Sequence, residues 1–390
     1  MSEWKEYKLG EVSKIQTGPF GSQLHASDYV VTGIPSIMPT NIGQRLDIRT
    51  DQIVYVDPKD IERLKKYKVL ENDIVYSRRG DVEKCAFITE QQEGWLCGTG
   101  CLRIRFSSPE VLPKFVAYYL STPDIKSWVL NSAVGTTMPN LNSGILTKLP
   151  LRVPEKKVQV QISNTLSSLD DKIDLLHRQN KTLESMAETL FRQWFVEEAE
   201  EKVKLGDYVK TSSGGTPSRS NLDYYANGTV KWVKSKELKG NFIFDTEEKI
   251  TDEAVKNSSA KLFPSNTVLI AMYGATVGEY ALLAEPSTCN QAICGLIPNE
   301  NMPYTFLFTL IKLNKENLIA LAGGSAQQNI SQELIKEFEI PYSKSKIDKF
   351  HNTTDPFFQK IKSNTDQTEK LKLLREALLP KLMSGEIQLS

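Results

Sequence analysis

A few short stretches hold residue types that could do covalent chemistry. At Thr354–Phe358 the chain reads TDPFF, one proline short of the Asp-Pro-Pro-Tyr clamp that holds an exocyclic amine for methyl transfer. No GxGxxG follows a strand-like run, so no cradle for a nucleotide or methyl donor accompanies it. Pro123-Asp124 with Glu155-Lys156-Lys157 fits a loose metal-nuclease spacing, but the second half of the chain does not reproduce it. YGATVG at Tyr273–Gly278 lacks the Lys-Ser/Thr of a phosphate loop and reads as a turn after a strand. Cys97 and Cys101 flank GTG, Cys289 and Cys294 flank NQAI, and the alignment of Cys101 with Cys294 points to a shared core position. A zinc site needs about four ligands, and the three histidines (His25, His177, His351) complete neither such a site nor a nucleophile–base pair. The expectation is a chain with no catalytic residues, no metal and no cofactor of its own.

What remains is a polar vocabulary suited to recognition, written twice. In the first half, GPFGSQLHASDY offers Ser22 and Gln23, and MPTNIGQR offers Asn41 and Arg45. SRRGD adds Arg78 and Arg79, and GTTMPNLNS adds Thr136, Thr137 and Asn140. In the second half, SSGGTPSRSNLDYY offers Thr216, Ser218 and Arg219, and KWVKSKELKG offers Lys234 and Lys236. MYGATVG adds Tyr273, and GGSAQQNIS adds Gln327, Gln328 and Asn329. Arginine and lysine can read guanine, asparagine and glutamine can read adenine, and hydroxyls suit phosphate. Any one of these loops alone reads as a solvated turn. The doubled set points to DNA contact.

The elements that must hold these loops are also duplicated. YKLGEVSKIQTG from Tyr7 matches VKLGDYVKTSSG from Val203, an offset of 196. YKVLENDIVYSRRG from Tyr67 matches AKLFPSNTVLIAMYG from Ala260, CLRIRF from Cys101 matches CGLIPN from Cys294, and Gly135 matches Gly324. The helical run from Ile173 matches that from Ile361, an offset of 188. Collinear matches at this period describe a duplicated domain rather than a solenoid. Each copy begins with short β-branched and aromatic runs bounded by turn residues, interleaved with helical stretches (Pro113–Asn131, Pro303–Leu321), and closes in a longer helix.

Both closing helices carry a three-four apolar seam: Leu166, Leu169, Ile173, Leu176, Asn180, Leu183, Ala187, Leu190 and Trp194 in one, and Phe357, Ile361, Asn364, Thr368, Leu371, Arg375, Leu378 and Leu382 in the other. That spacing predicts a coiled coil with polar register positions at Asn180 and Thr368. Thr353–Pro356 reads as a cap with proline at the first turn, so the second helix is expected to start or kink there, and Pro380 is expected to end it. Leu190, Phe191, Trp194 and Phe195, with Leu378, Leu379, Leu382 and Met383, form faces wider than a two-helix seam. These faces either bind a partner subunit or pack on the adjacent domain.

The fold class expected is α+β: two pseudo-symmetric mixed domains joined by two long helices in an antiparallel coiled coil. The boundaries are 1–152 and 201–342 for the domains and 153–200 and 343–390 for the helical regions. Bulk properties agree. The 390 residues suit two or three domains, and 40% hydrophobic content suits ordinary cores. With 48 basic and 48 acidic residues the chain is not uniformly basic, so any DNA-binding face is local. Five cysteines fit a reducing compartment. A charged start and no long apolar run point to the cytoplasm, with no membrane span.

KLG opening each copy, GGTPSR, Trp232 before VKSKEL, the Gln-Asn-Ile-Ser run, and the endings FRQWF and LLPKLMSGEI together resemble the specificity subunits of type I restriction–modification systems. The resemblance implies that each mixed domain reads one half of a split DNA target and that the helices set the gap. A helix of about 35 residues spans roughly 50 Å, one to two duplex turns of about 34 Å. It implies partners as well: two modification subunits that methylate adenine with S-adenosylmethionine, and restriction subunits. The first copy departs from the pattern, with GPFGSQL for GGTPSR and GTTMPNLNS for the glutamine-rich run. Halves that read different bases are expected to differ there. An autonomous methyltransferase or nuclease, or a protein-binding scaffold, is the alternative.

Overall fold

The computed structural model describes residues 4–135, 139–197, 201–321 and 329–389. It divides into two compact units, Met1–Ile173 with Leu371–Ser390, and Asp174–Lys370. The class is the α+β one expected.

In the first unit a four-stranded antiparallel sheet runs in the order Ser13–Thr17, Cys101–Phe106, Ile74–Ser77, Cys85–Phe87. A second sheet orders Tyr29–Val30, Val54–Val56, Ile34–Ile37 and Leu96–Cys97. A two-stranded ribbon pairs Lys5–Lys8 with Pro150–Val153. The second unit repeats the plan. Its main sheet runs Lys210–Ser213, Ile293–Ile297, Val268–Ala271, Tyr280–Leu283, Phe242–Ile243, and its ribbon pairs Glu201–Lys204 with Glu339–Tyr342. The matched sequence runs therefore occupy matched strands.

The central strands explain their own composition. Ile74 and Tyr76 face one core while Val75 faces another, and Val268 and Ile270 likewise part from Leu269 and Ala271. A strand covered on both faces needs a continuous apolar run rather than alternation. Each is entered from an asparagine in the left-handed region, Asn72 at φ 67° and Asn266 at φ 64°, a conformation asparagine tolerates better than most residues.

Both predicted long helical stretches break in two. Pro113–Leu120 stops before Pro123, which opens the helix Pro123–Ser132 at its first turn. Tyr304–Leu313 gives way at Asn314 to Lys315–Ala320. The first member of each pair is buried on its sheet.

The closing helices are Lys156–Phe191 and Lys344–Ser384. Each unit contains an antiparallel stretch of both. In the first, Ile162 and Leu166 share a core with Leu379, Leu382 and Met383. In the second, Asn364 Nδ2 donates to Asn180 Oδ1 at 2.8 Å and Phe191 packs on Phe350 at 5.6 Å. The coiled-coil expectation holds, with Asn180 paired to Asn364.

The second long helix neither starts at Pro356 nor ends at Pro380. The second helix runs unbroken through Pro356 and Pro380 and stops at Gly385, φ 77°. An interior proline costs about 3 kcal/mol. Buried Phe350 and Phe358 pin the helix on either side of Pro356, and Thr353 and Thr354 return their hydroxyls to the carbonyls of Lys349 and Phe350. Packing overrides the local signal.

Candidate nucleic-acid interface

Three of the predicted contact residues, Arg78, Arg79 and Tyr273, follow the buried central strands. In the first unit the strand Ile74–Ser77 delivers Arg78 and Arg79, and Gly80 turns the chain at φ 75°. Arg78 is held three ways: its N–H donates to Gly100 C=O (2.8 Å), its C=O accepts from Leu141 N–H (2.9 Å), and its Nε donates to Leu141 C=O (3.1 Å). Its guanidinium lies 5.2 Å from the ring of Phe20, which is 51% exposed. Arg79 is exposed and bridges Asn140, whose backbone also pairs with Val134. Partial burial, and then the charge of Arg79, push Arg78 below the ordinary arginine value. Two adjacent like charges fixed this way gain when an anion approaches.

The second unit contains the same clamp. Met272 N–H donates to Ala292 C=O (2.8 Å), and Ile330 N–H donates to Met272 C=O (2.7 Å). Tyr273 bridges Asn329 as Arg79 bridges Asn140, and Gly274 turns at φ 83°. Leu141 and Ile330 are buried beneath, and Asn142 and Ser331 then cap the short helices Ser143–Leu146 and Gln332–Glu337. Asn140-Leu141 and Asn329-Ile330 thus occupy matching places in the two units. Thr136, Thr137, Gln327 and Gln328 lie outside the described residues.

Other predicted contacts are committed internally. Asn41 is 1% exposed; its Oδ1 accepts from Met38 N–H and its Nδ2 donates to Arg49 C=O, so it fastens its own loop. Gln23 accepts from Tyr67 and Phe20, while Ser22 beside it is exposed. Arg45 reaches the first long helix, donating to Asp170 C=O at 3.4 Å. Thr216 bonds Gln291, and Ser218 bonds Ser220.

Arg219, Lys234 and Lys236 converge on Glu247 and Glu248. Arg219 Nη2 is 2.7 Å and Lys234 Nζ 2.8 Å from Glu248, and Lys236 Nζ is 2.6 Å from Glu247. Hydrogen bonds from Lys234 and Lys236 hold Glu248 and Glu247, respectively, below the usual carboxylate range. Arg219 also lies 4.3 Å from the Tyr225 ring and 4.9 Å from that of Trp232, whose indole N–H donates to Gly215 C=O. Three cations share two carboxylates on an aromatic platform. A phosphate would have to displace those carboxylates.

Sequence reasoning passed over Phe20, Tyr225 and Trp232. Each lies in a quoted loop, and the available signal was an aromatic residue interleaved with glycine and arginine.

The two wide apolar faces pack on the adjacent domains, the second of the two alternatives left open for them. Phe191 and Phe195 stack on Phe306 at 5.3 and 5.0 Å and on Phe350 at 5.6 and 5.8 Å, with Trp194 6.3 Å from Phe350 and Leu190 against the same core. Leu379, Leu382 and Met383 are buried in the first unit's core, with Leu378 beside them. Each helix end is wider than a two-helix seam because it meets a domain as well as a helix.

All five cysteines are buried, and burial pushes the thiols of Cys85, Cys97 and Cys294 up to about 12. No group of His, Cys, Asp and Glu fit to hold a metal occurs among the described residues, and none of their helices is long and apolar enough to cross a membrane.

The family described as the type I restriction modification DNA specificity domain matches residues 1–185 and again 197–373. The type I restriction enzyme HindI specificity subunit of Haemophilus influenzae is 25% identical over 99% of this chain and 100% of that protein. The EcoR124I/EcoR124II specificity subunit of Escherichia coli is 32% identical over 35% of each chain. The crystal structure of a type I restriction-modification S subunit from M. genitalium shares the fold, with a TM-score of 0.65, 18% identity and coverage of 98% of this chain and 96% of that one.

Proposed function

Since the chain belongs to the type I restriction modification DNA specificity family and carries that domain twice, we propose that it is the DNA-reading, non-catalytic subunit of a type I restriction–modification complex. Segments 1–152 and 201–342 each read one half of a bipartite target. Segments 153–200 and 343–390 set the gap between the half-sites. Two modification subunits, methylating adenine with S-adenosylmethionine, and the restriction subunits assemble on this chain in the cytoplasm.

The observation that carries this reading is the repeated clamp: Arg78-Arg79 against Asn140-Leu141, and Met272-Tyr273 against Asn329-Ile330. One scaffold presents two different side-chain sets, arginines in one copy and a tyrosine in the other. Two readers of unlike sequences require that combination.

The test is methylome sequencing of a host with and without the gene. A split, adenine-methylated motif that disappears with the gene is the expected result, and an unchanged methylome rejects the reading. Purified chain that transfers methyl groups or cuts DNA with magnesium would make it an enzyme. Binding that is insensitive to salt would make it a protein scaffold, because phosphate contacts weaken with salt.

A further inference from the structure

The long helices match at an offset of 188, with Ile162 over Phe350, Leu166 over Thr354, Ile173 over Ile361 and Phe191 over Leu379 at inward positions. At two seats the matched residues differ in kind. In the first unit Tyr118 donates to Asp170 Oδ2 at 2.9 Å and Arg375 Nε lies 2.7 Å from Asp170 Oδ1, an ion-pair approach not aligned as a hydrogen bond. Arg45 Nη1 stands 4.0 Å from the same oxygen, and the Asp170 and Arg375 side chains are each 9% exposed. In the second unit the corresponding seat holds Phe308, Phe358 and Ala187, with the two rings 5.6 Å apart and edge-on. Asn180 pairs with Asn364, whereas the matching positions carry Thr368 and Leu176.

We propose that these two polar pairs select the helix partner: they direct the first long helix onto the second and disfavour pairing with its own counterpart from another copy of the chain. Were the first helix to meet its own copy in the same antiparallel register, Asp170 would face Ala187 and Asn180 would face Leu176, each twice. A buried carboxylate would lose its arginine and a half-buried amide its partner, both costly states. Two copies of the second helix would set Arg375 against Phe358 and Asn364 against Thr368. Only the mixed pair puts Arg375 on Asp170, Asn364 on Asn180 and Phe358 beside Ala187. Identical or near-identical elements exchange readily between protomers, and a duplicated chain carries that hazard in every molecule. A polar seam pair is an established means of fixing partner and register.

The test uses two full-length copies with different affinity tags, one carrying Asp170→Arg and the other Arg375→Asp. Alone, each variant sets like charges face to face, and its Tm falls by roughly 10 °C. Co-expressed, the two can exchange helices and restore an opposite-charge pair at both seats. The expected result is co-purification of the two variants ~tenfold above either variant with itself, corresponding to about 1.4 kcal/mol, as a dimer by light scattering. Recovery no greater than for two wild-type copies overturns the proposal. A second full-length chain combines Tyr118→Phe, Asp170→Phe, Arg375→Ala, Asn180→Leu and Asn364→Thr, which leaves no buried charge at the first seat. It is expected to exchange with its own copy. If it keeps its helix content yet stays as monomeric as wild type, the polar pairs do not choose the partner.

Discussion

Arg78 and Arg79 have different jobs although they are neighbours. Arg78 is anchored through Nε and stacked on Phe20, so it presents a fixed geometry, whereas Arg79 is exposed and held through its backbone. Arg78→Ala is expected to relax base preference at one half-site only, at about 1–3 kcal/mol, read from a panel of single-base variants of the target. Arg79→Ala is expected to weaken binding evenly across that panel and to lower the salt slope of log K by about 1. In the second unit the carboxylates matter as much as the cations. The double variant Glu247→Gln, Glu248→Gln frees Arg219, Lys234 and Lys236, so it is expected to tighten binding to arbitrary DNA and steepen its salt dependence in titrations at several ionic strengths. The loops themselves were legible in the sequence. Their internal commitments were not, because Arg45 and Arg219 find partners that only the fold brings near.

Strands, turns and the helical seam were readable because each obeys a local period, and the duplicated plan was readable because two noisy copies confirm one another. The helix ends stayed open between two alternatives because long-range packing decides them. Phe191 and Phe195 suited a partner surface or the adjacent domain, and they lie among Phe306 and Phe350. Phe191→Ser or Phe195→Ser is expected to destabilise the second unit by about 3–5 kcal/mol, measured by denaturant unfolding of the chain alone. Pro356 looked like a starting signal, yet it stands exposed within a continuous helix. Pro356→Ala restores an amide hydrogen and removes the ring, so it is expected to raise the second unit's stability by about 1–3 kcal/mol with unchanged DNA preference.

Taken whole, the chain uses different chemistry at pseudo-equivalent places, and the two units should answer acid differently. Burial raises the Asp170 carboxyl above its ordinary value against the pull of Arg375, so Asp170 binds its proton more tightly folded than unfolded. Its contribution to stability is therefore fullest below the unfolded value of about 3.9 and declines as pH rises through the folded value. Glu248 is depressed by the hydrogen bond from Lys234, so its contribution is present above the unfolded value of about 4.3 and lost as pH falls through the folded one. In calorimetry across the acid range, Asp170→Asn is expected to remove a declining term from the first unit's pH profile, and Glu248→Gln a rising term from the second's. The repeated clamp has a further consequence. Its recurring fastenings are main-chain hydrogen bonds, from Leu141 and Ile330 to Arg78 and Met272 and onward to Gly100 and Ala292. Main-chain bonds are indifferent to the side chains they carry. Evolution can therefore replace the side chains carried at either clamp without renegotiating the core beneath it.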